Sequence, residues 1–316
     1  MTPFPLAGFS QGQHESFTRE SPKPAILWSV AMLRPNHSPI KGVSKMSRSR
    51  ITLAAVAAVA AMVVAPAAAS AKPVITLSGS TSVAPLTAKL FPAFLATSLG
   101  KGKVSFKQYQ GGSDVGISDV SAGRVTIGNS SRDLKSSDAG GLTWNKIARD
   151  AVCVAVNTSN GVSNLTTTQV QNIFSGTTRS WSDIPGSGKT GSINLYVRTA
   201  ASGTQDAFQK LFMGTATVSN SAAQKASNGL IQSSVTSDPN GIGYVSFDFL
   251  GGIKALQYQG IPCTLTNAKS GAYSAVRNFW MVTRGAPTGI TNTFIHWVQT
   301  STAAKKIVAA GWVPLV

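Results

Sequence analysis

Val197-Arg198-Thr199-Ala200-Ala201-Ser202-Gly203-Thr204-Gln205-Asp206-Ala207-Phe208 joins a strand-like run, Ile193 to Val197, to a helix-like run, Gln205 to Phe212. Such a junction leaves free backbone N–H groups at the start of the helix. Ser202 is a natural N-cap, and Gly203 lets the backbone come close to whatever sits there. The positive end of the helix attracts anions. Arg198 adds a permanent charge whose planar fork fits an oxyanion through two hydrogen bonds. Alone, the stretch is also compatible with an ordinary capped helix beside a surface arginine. The decisive matter is whether other segments repeat the arrangement and point at the same place.

They do repeat it. Val74 to Leu77 reads as a buried strand, followed by Ser78-Gly79-Ser80-Thr81-Ser82-Val83-Ala84-Pro85 and a helix over Leu86 to Leu95. Val104 to Gln108 alternates like a strand, then Tyr109-Gln110-Gly111-Gly112-Ser113 opens a helix over Asp114 to Ala122, with Ser113 in the N-cap place. Val125 to Gly128 is a short buried strand leading to Asn129-Ser130-Ser131-Arg132-Asp133. Ala151 to Asn157 reads as a strand buried on both faces of a parallel sheet. Thr166 caps a helix over Thr167 to Phe174, closed by Gly176. A polar helical region is expected over Val218 to Gly229, strands over Gly241 to Val245 and Asn278 to Thr283, and helices over Ile290 to Gln299 and Thr302 to Ala310. Strands alternating with helices throughout predict an α/β architecture with mainly parallel sheets.

In open α/β sheets, ligands bind outside the carboxyl ends of the strands, where these four loops fall. If they converge, they supply on the order of ten donors, and hydrogen bonds to a charged group contribute roughly 1.5–3 kcal/mol each. After desolvation costs that total reaches micromolar binding, which needs about 8 kcal/mol. Other chemistries fare worse. Gly188-Lys189-Thr190 looks like the tail of a P-loop, but Asp183 stands where the P-loop glycine belongs. There is no G-x-S-x-G elbow, and His296 is the one histidine after position 71, inside an expected helix far from the Ser-rich loops. One His and two separated Cys make no metal cluster, and no cofactor is implied. The chain has 28 Lys+Arg against 11 Asp+Glu, a net charge of +17, and this excess suits an anionic partner. The basic residues are scattered rather than gathered in a stripe, which argues against nucleic acid.

Ser47-Arg48-Ser49-Arg50, the apolar run Ile51 to Ala65 and the small residues Ala69-Ser70-Ala71 form the three-part pattern of a secretory signal peptide over 46–71. The run is short for a membrane span, so no stable insertion is expected after cleavage. Residues 1–45 show no sustained periodicity and read as a non-native upstream or disordered leader, with translation starting at Met46. Export to the periplasm or cell envelope places Cys153 and Cys263 in an oxidising compartment, as candidates for one disulfide or as two buried thiols.

The loops in combination resemble the PstS-like phosphate-binding proteins of ABC importers, a group of type II periplasmic binding proteins. The resemblance rests on Gly79-Ser80-Thr81-Ser82-Val83-Ala84-Pro85-Leu86, Tyr109 to Ser113, Ile127 to Arg132, Arg198 with Ser202-Gly203-Thr204, Gly241 to Val245, and the closing Gly311-Trp312-Val313-Pro314-Leu315. It covers nearly all of Val74 to Val316. It implies a two-lobed fold, each lobe a mainly parallel sheet flanked by helices, with lobe one over 72–153 and 246–316 and lobe two over 154–245. It implies a monomer that binds inorganic phosphate between the lobes and delivers it to the importer's permease subunits, without catalysis. Carried over, the ligand set is Thr81, Ser82, Ser113, Ser131, Arg132, Arg198, Ser202, Gly203 and Thr204. Some members have Asp where this chain has Ser131, and an acid where it has Ala200. Ser131 lacks the charge that repels sulfate, Asp133 is a candidate substitute if its loop bends inward, and Arg198 needs another means of orientation. Another oxyanion such as sulfate or molybdate is the nearest alternative. A secreted phosphatase using a loop serine, or an adhesin on the same fold, stands further off.

Overall fold

The repeated strand–loop–helix units are present in the computed structural model, which describes residues 71–315. The leader and almost all of the signal segment lie outside the described residues. The chain begins β1 (Val74–Gly79), α1 (Ala84–Leu95), β2 (Ser105–Gln108), α2 (Ser113–Ser121) and β3 (Ile127–Ser130). β1 pairs in parallel with both β2 and β3, the arrangement that crossover helices permit. Next come β4 (Leu142–Val156), β5 (Asn164–Leu165), α3 (Thr167–Ser175), β6 (Asn194–Arg198), α4 (Gly203–Phe208), β7 (Ala223–Lys225), α5 (Asn228–Ser237) and β8 (Gly241–Ser246). β6 lies parallel to β7 and to β8. The chain ends with β9 (Lys254–Ala255), β10 (Gln257–Tyr258), β11 (Ile261–Pro262), α6 (Leu265–Ser270), β12 (Val276–Arg284), α7 (Gly289–Thr300) and α8 (Thr302–Gly311).

One curled sheet carries the order β2-β1-β3-β12-β4-β8-β6-β7, with β9 beside β4. Its centre is antiparallel. β4 pairs with β12 over Leu142 to Ala151, then with β8 over Val152 to Val156. The apolar run at Ala151 is therefore buried, as expected, but in antiparallel pairing, because β4 serves both halves of the sheet in turn. Apolar runs report two covered faces and say nothing of strand direction.

Two large cores flank this shared strand. Leu77, Phe94, Phe279, Phe294 and Trp297 fill one, packed against β1, α1, β12, α7 and α8. Val170, Phe174, Trp181, Phe208, Phe212 and Tyr244 fill the other. Each fully buried aromatic there contributes about 1.5–3 kcal/mol through apolar burial. Leu256, Cys263, Ala268 and Tyr273 belong to the second core as well. A disulfide joins Cys153 in β4 to Cys263, whose Cα atoms are 5.9 Å apart across 110 positions of sequence.

Thr166 caps α3 with a full capping box. Elsewhere local expectation gave way. Val218 to Gly229 holds β7 and only the start of α5, whose cap Ser227 accepts from the amide of Leu230. Its Ser and Asn residues have weak helix preference, and pairing with β6 decided the outcome. α4 ends at Phe208 and passes into a π-helical turn over Gln209–Met213.

Candidate functional site

Arg198 ends β6 and is 2% exposed. Its backbone amide donates to the Tyr244 hydroxyl at 2.9 Å, and Tyr244 lies flat on Phe208. Its guanidinium donates to the carbonyls of Lys225 (3.1 Å) and Ala226 (2.8 Å), with a long contact of 3.4 Å to Thr204 Oγ1. These carbonyls supply the orientation that Ala200 cannot. All three partners are uncharged oxygens. Burial therefore pulls the guanidinium down from 12.5 to about 10, against the attraction of Tyr244 and with the repulsion of Arg277. A buried cation held by neutral groups is costly unless an anion completes its shell.

The hydroxyl loops meet it from the other half of the sheet. Ser82 Oγ lies 3.0 Å from Thr204 Oγ1. Asp114 donates its amide to the carbonyl of Ala201 at 3.1 Å. Gly112, at φ +101°, has no room for a side chain, since a Cβ would stand 2.6 Å from the Ala201 oxygen. A Cβ on Gly203 would stand 2.3 Å from Ser113 Oγ and 2.7 Å from Ser131 Oγ. Thr81, Ser82, Ser113, Ser131, Arg198, Ser202, Gly203 and Thr204 are thus brought together, all buried. At the rim, Lys135 Nζ reaches Asp206 at 3.2 Å.

Three expectations fail on inspection of side chains. The Arg132 guanidinium is committed elsewhere, donating to Asp138 at 2.7 and 2.8 Å and to Asp114 at 2.6 Å. Those partners outweigh the cost of burial and raise Arg132 above its ordinary value. Asp133 turns away from the loops and accepts from Asn278 and Trp280. Ser113 is not the cap of α2. Gly112 holds that place, and Ser113 Oγ instead accepts from the amide of Ser131 at 3.0 Å. Ser202 does cap α4, accepting from Thr204 and Gln205.

Sequence reasoning also missed members. Asn228, the first residue of α5, is fully buried and donates to Thr81 Oγ1 (3.0 Å) and Ser82 Oγ (2.8 Å). Arg277 in β12 stands directly opposite Asp150 in β4. Its Nη2 donates to Asp150 at 2.9 Å and to Ser82 at 2.8 Å. Burial pushes Arg277 down and Asp150 up, in each case against the attraction of the other. Sequence offered little to single them out, since β4 also carries Lys146 and Arg149 and β12 also carries Arg284. Ser80 Oγ accepts from the amides of Ser82 and Val83 and donates to Ser131 at 2.9 Å. The arrangement is a buried, donor-rich cradle around two guanidiniums and one carboxylate, suited to an oxyanion, and among the described residues no carboxylate pairs with Arg198.

A family model described as a PBP superfamily domain matches residues 66–302. The phosphate-binding protein PstS of Bacillus subtilis is 28% identical over 247 residues, covering 76% of this chain and 80% of that protein. Among solved structures, one from Clostridium perfringens, described as a phosphate ABC transporter substrate-binding protein with bound phosphate, is similar at a TM-score of 0.72. It is 29% identical and covers 77% of this chain and all of that one. An ABC-type phosphate transport receptor from Vibrio cholerae gives a TM-score of 0.62 at 28% identity, over 76% of this chain and all of its own.

Proposed function

This chain belongs to the PBP superfamily, and on that premise we propose that it binds inorganic phosphate outside the cytoplasm and hands it unchanged to an ABC importer. The observation that carries the reading is Arg198, buried, cationic and held only by neutral oxygens, at the meeting point of the hydroxyl loops. Thr81, Ser82, Ser113, Ser131, Arg198, Ser202, Gly203 and Thr204 contact the anion. Arg132 braces the Ser131 loop through its carboxylates instead. We take the two sheet halves as lobes that close on the ligand. We draw the second crossing between them at Ser274 to Arg277, a reading supported by the packing of Ile253 to Ala275 with the β6–β8 side. Among the described residues no helix is long and apolar enough to cross a membrane. Calorimetry of residues 72–316 with phosphate tests the reading. Saturable one-to-one binding with a thermal upshift is expected; no heat and no shift overturns it.

A further inference from the structure

Two elements that feed the cradle also meet outside it. The loop after β3 carries Ser131 and continues to Lys135, while α4 with its cap carries Ser202 to Thr204 and continues to Asp206. Lys135 Nζ stands 3.2 Å from Asp206 Oδ1. Among the described residues it is the one ion pair that joins the β1–β3 half of the sheet to the β6–β8 half. Side-chain bonds that cross nearby, from Asn228 to Thr81 and Ser82 and between Ser82 and Thr204, run through hydroxyls of the cradle itself.

Both ends of the pair are held. The Lys135 amide donates to Asp138 Oδ2 at 2.8 Å, and the buried Arg132 clamps the same carboxylate at 2.7 and 2.8 Å, which fixes the base of the Lys135 side chain. Asp206 donates its amide to the Ser202 carbonyl at 3.1 Å within α4. The Asp206 side chain is 14% exposed and that of Lys135 31%, so solvent screens the pair less than a fully exposed one. Charges alternate along this rim. Lys210 reaches Asp206 Oδ2 at 3.1 Å, and Lys135 lies 3.9 Å from Asp114, which accepts from Arg132 at 2.6 Å. The N-terminal end of α4 and Lys210, one turn on, already serve Asp206 as a helix acid. Helix stability therefore does not call for Lys135. The field of Asp206 extends to Arg277 inside the cradle, so an acid here opposes an incoming anion unless a cation offsets it.

We propose that Lys135 and Asp206 are positioning residues that form a latch across the rim, outside the ligand set, holding the two halves of the sheet closed and setting how long a bound anion stays. The inference rests on the phosphate reading above. The latch acts on closure: it slows opening, and release with it, and leaves the contacts to the anion as they are. Its two opposite charges make it separable from plain attraction. A rim that acted only through its field on the anion would bind more weakly without Lys135 and more tightly without Asp206. A latch needs both partners, so the loss of either one shifts the protein toward the open state and speeds release.

The experiment loads the protein with radiolabelled phosphate, chases with unlabelled phosphate, and reads the release rate by rapid filtration beside the dissociation constant from calorimetry. Lys135→Met and Asp206→Asn each release about two- to five-fold faster than wild type, the usual effect of one partly exposed pair. The double variant releases no faster than the faster single variant, because the pair is already broken. Lys135→Glu sets a carboxylate against Asp206 and Asp114, and release rises about ten-fold. Lys210→Met removes only the partner on α4 itself and keeps release within about two-fold of wild type. High salt speeds release from wild type and adds nothing in Lys135→Met. Opposite changes in the two single variants assign the effect to the field on the anion and overturn the latch. Additive changes in the double variant, an acceleration in Lys210→Met equal to that in Lys135→Met, or a salt response that survives the loss of Lys135 also overturn it. Wild type that binds no phosphate overturns the phosphate reading itself, and tight binding with release unchanged in every rim variant overturns only this inference. Circular dichroism and melting of each unliganded variant separate loss of fold from loss of the latch, and the salt response of wild type tests the latch without any substitution.

Discussion

Replacing Arg198 with methionine should weaken anion binding while leaving the unliganded protein as stable as before, or more so. The two effects have one origin. The guanidinium is pulled down from 12.5 to about 10 by burial among neutral partners. At 1.36 kcal/mol per pKa unit, that fall is a cost of about 3 kcal/mol to the charged form. Methionine removes the cost and fills much of the volume. It also strips the carbonyls of Lys225 and Ala226 of their donor, which returns about 1 kcal/mol each. The net is near zero to about 1 kcal/mol in favour of the unliganded variant. Binding moves the other way. Two charge-assisted hydrogen bonds to the anion, roughly 1.5–3 kcal/mol each, disappear, so the dissociation constant should rise by at least about a hundred-fold. Urea denaturation without ligand and calorimetry with phosphate read the two quantities separately. Affinity within about three-fold of wild type would remove Arg198 from the site. A loss of more than about 3 kcal/mol in the unliganded protein would refute the idea that its charge is held there at a cost.

Three further outcomes follow from the same geometry. Gly203→Ala places a Cβ 2.3 Å from Ser113 Oγ and 2.7 Å from Ser131 Oγ, so the loops must part; calorimetry should show phosphate binding weakened at least about ten-fold, the effect of one misplaced contact. Reducing Cys153–Cys263 opens a loop of 110 positions and should lower stability by about 2–5 kcal/mol, read as a lower melting temperature in dithiothreitol. Asp138 is held below its ordinary value by Arg132 and the Lys135 amide, which outweigh its burial. A carboxylate depressed in the fold adds stability that is present above its unfolded pKa and lost as pH falls through the folded one. Asp138→Asn should therefore lose stability at neutral pH and show a smaller further loss on acidification than wild type, followed by melting from about pH 6 down to about pH 3.

Short-range signals in this chain were legible because their physics is short-range. The Thr166 capping box needs only residues three apart, and Ser202 caps α4 through amides two and three positions ahead. The strand–loop–helix rhythm likewise needs only local periodicity and turn residues, and with it came the α/β class and the loops that carry Thr81, Ser113, Ser131 and Thr204. The failures share a cause as well. Arg132 sits in the right loop, but where its guanidinium points was decided by Asp138 and Asp114 packing beneath it. Ser113 sits at the right helix start, yet a positive φ at Gly112 moved the cap back by one residue.

Asn228, Asp150 and Arg277 lie outside what any local pattern reveals. Arg277 meets Ser82 across 195 positions of sequence, and Asn228 meets it across 146. Those contacts exist because β12 returns to the centre of the sheet beside β4, and because the start of α5 meets the end of β8, where Asn228 accepts from Ser246. The sequence by itself determined which loops would carry hydroxyls and a cation, since helix starts and strand ends are written in neighbouring residues. Only the tertiary structure decided which donors reach the Ser82 hydroxyl, because Asn228 and Arg277 arrive there from far along the chain.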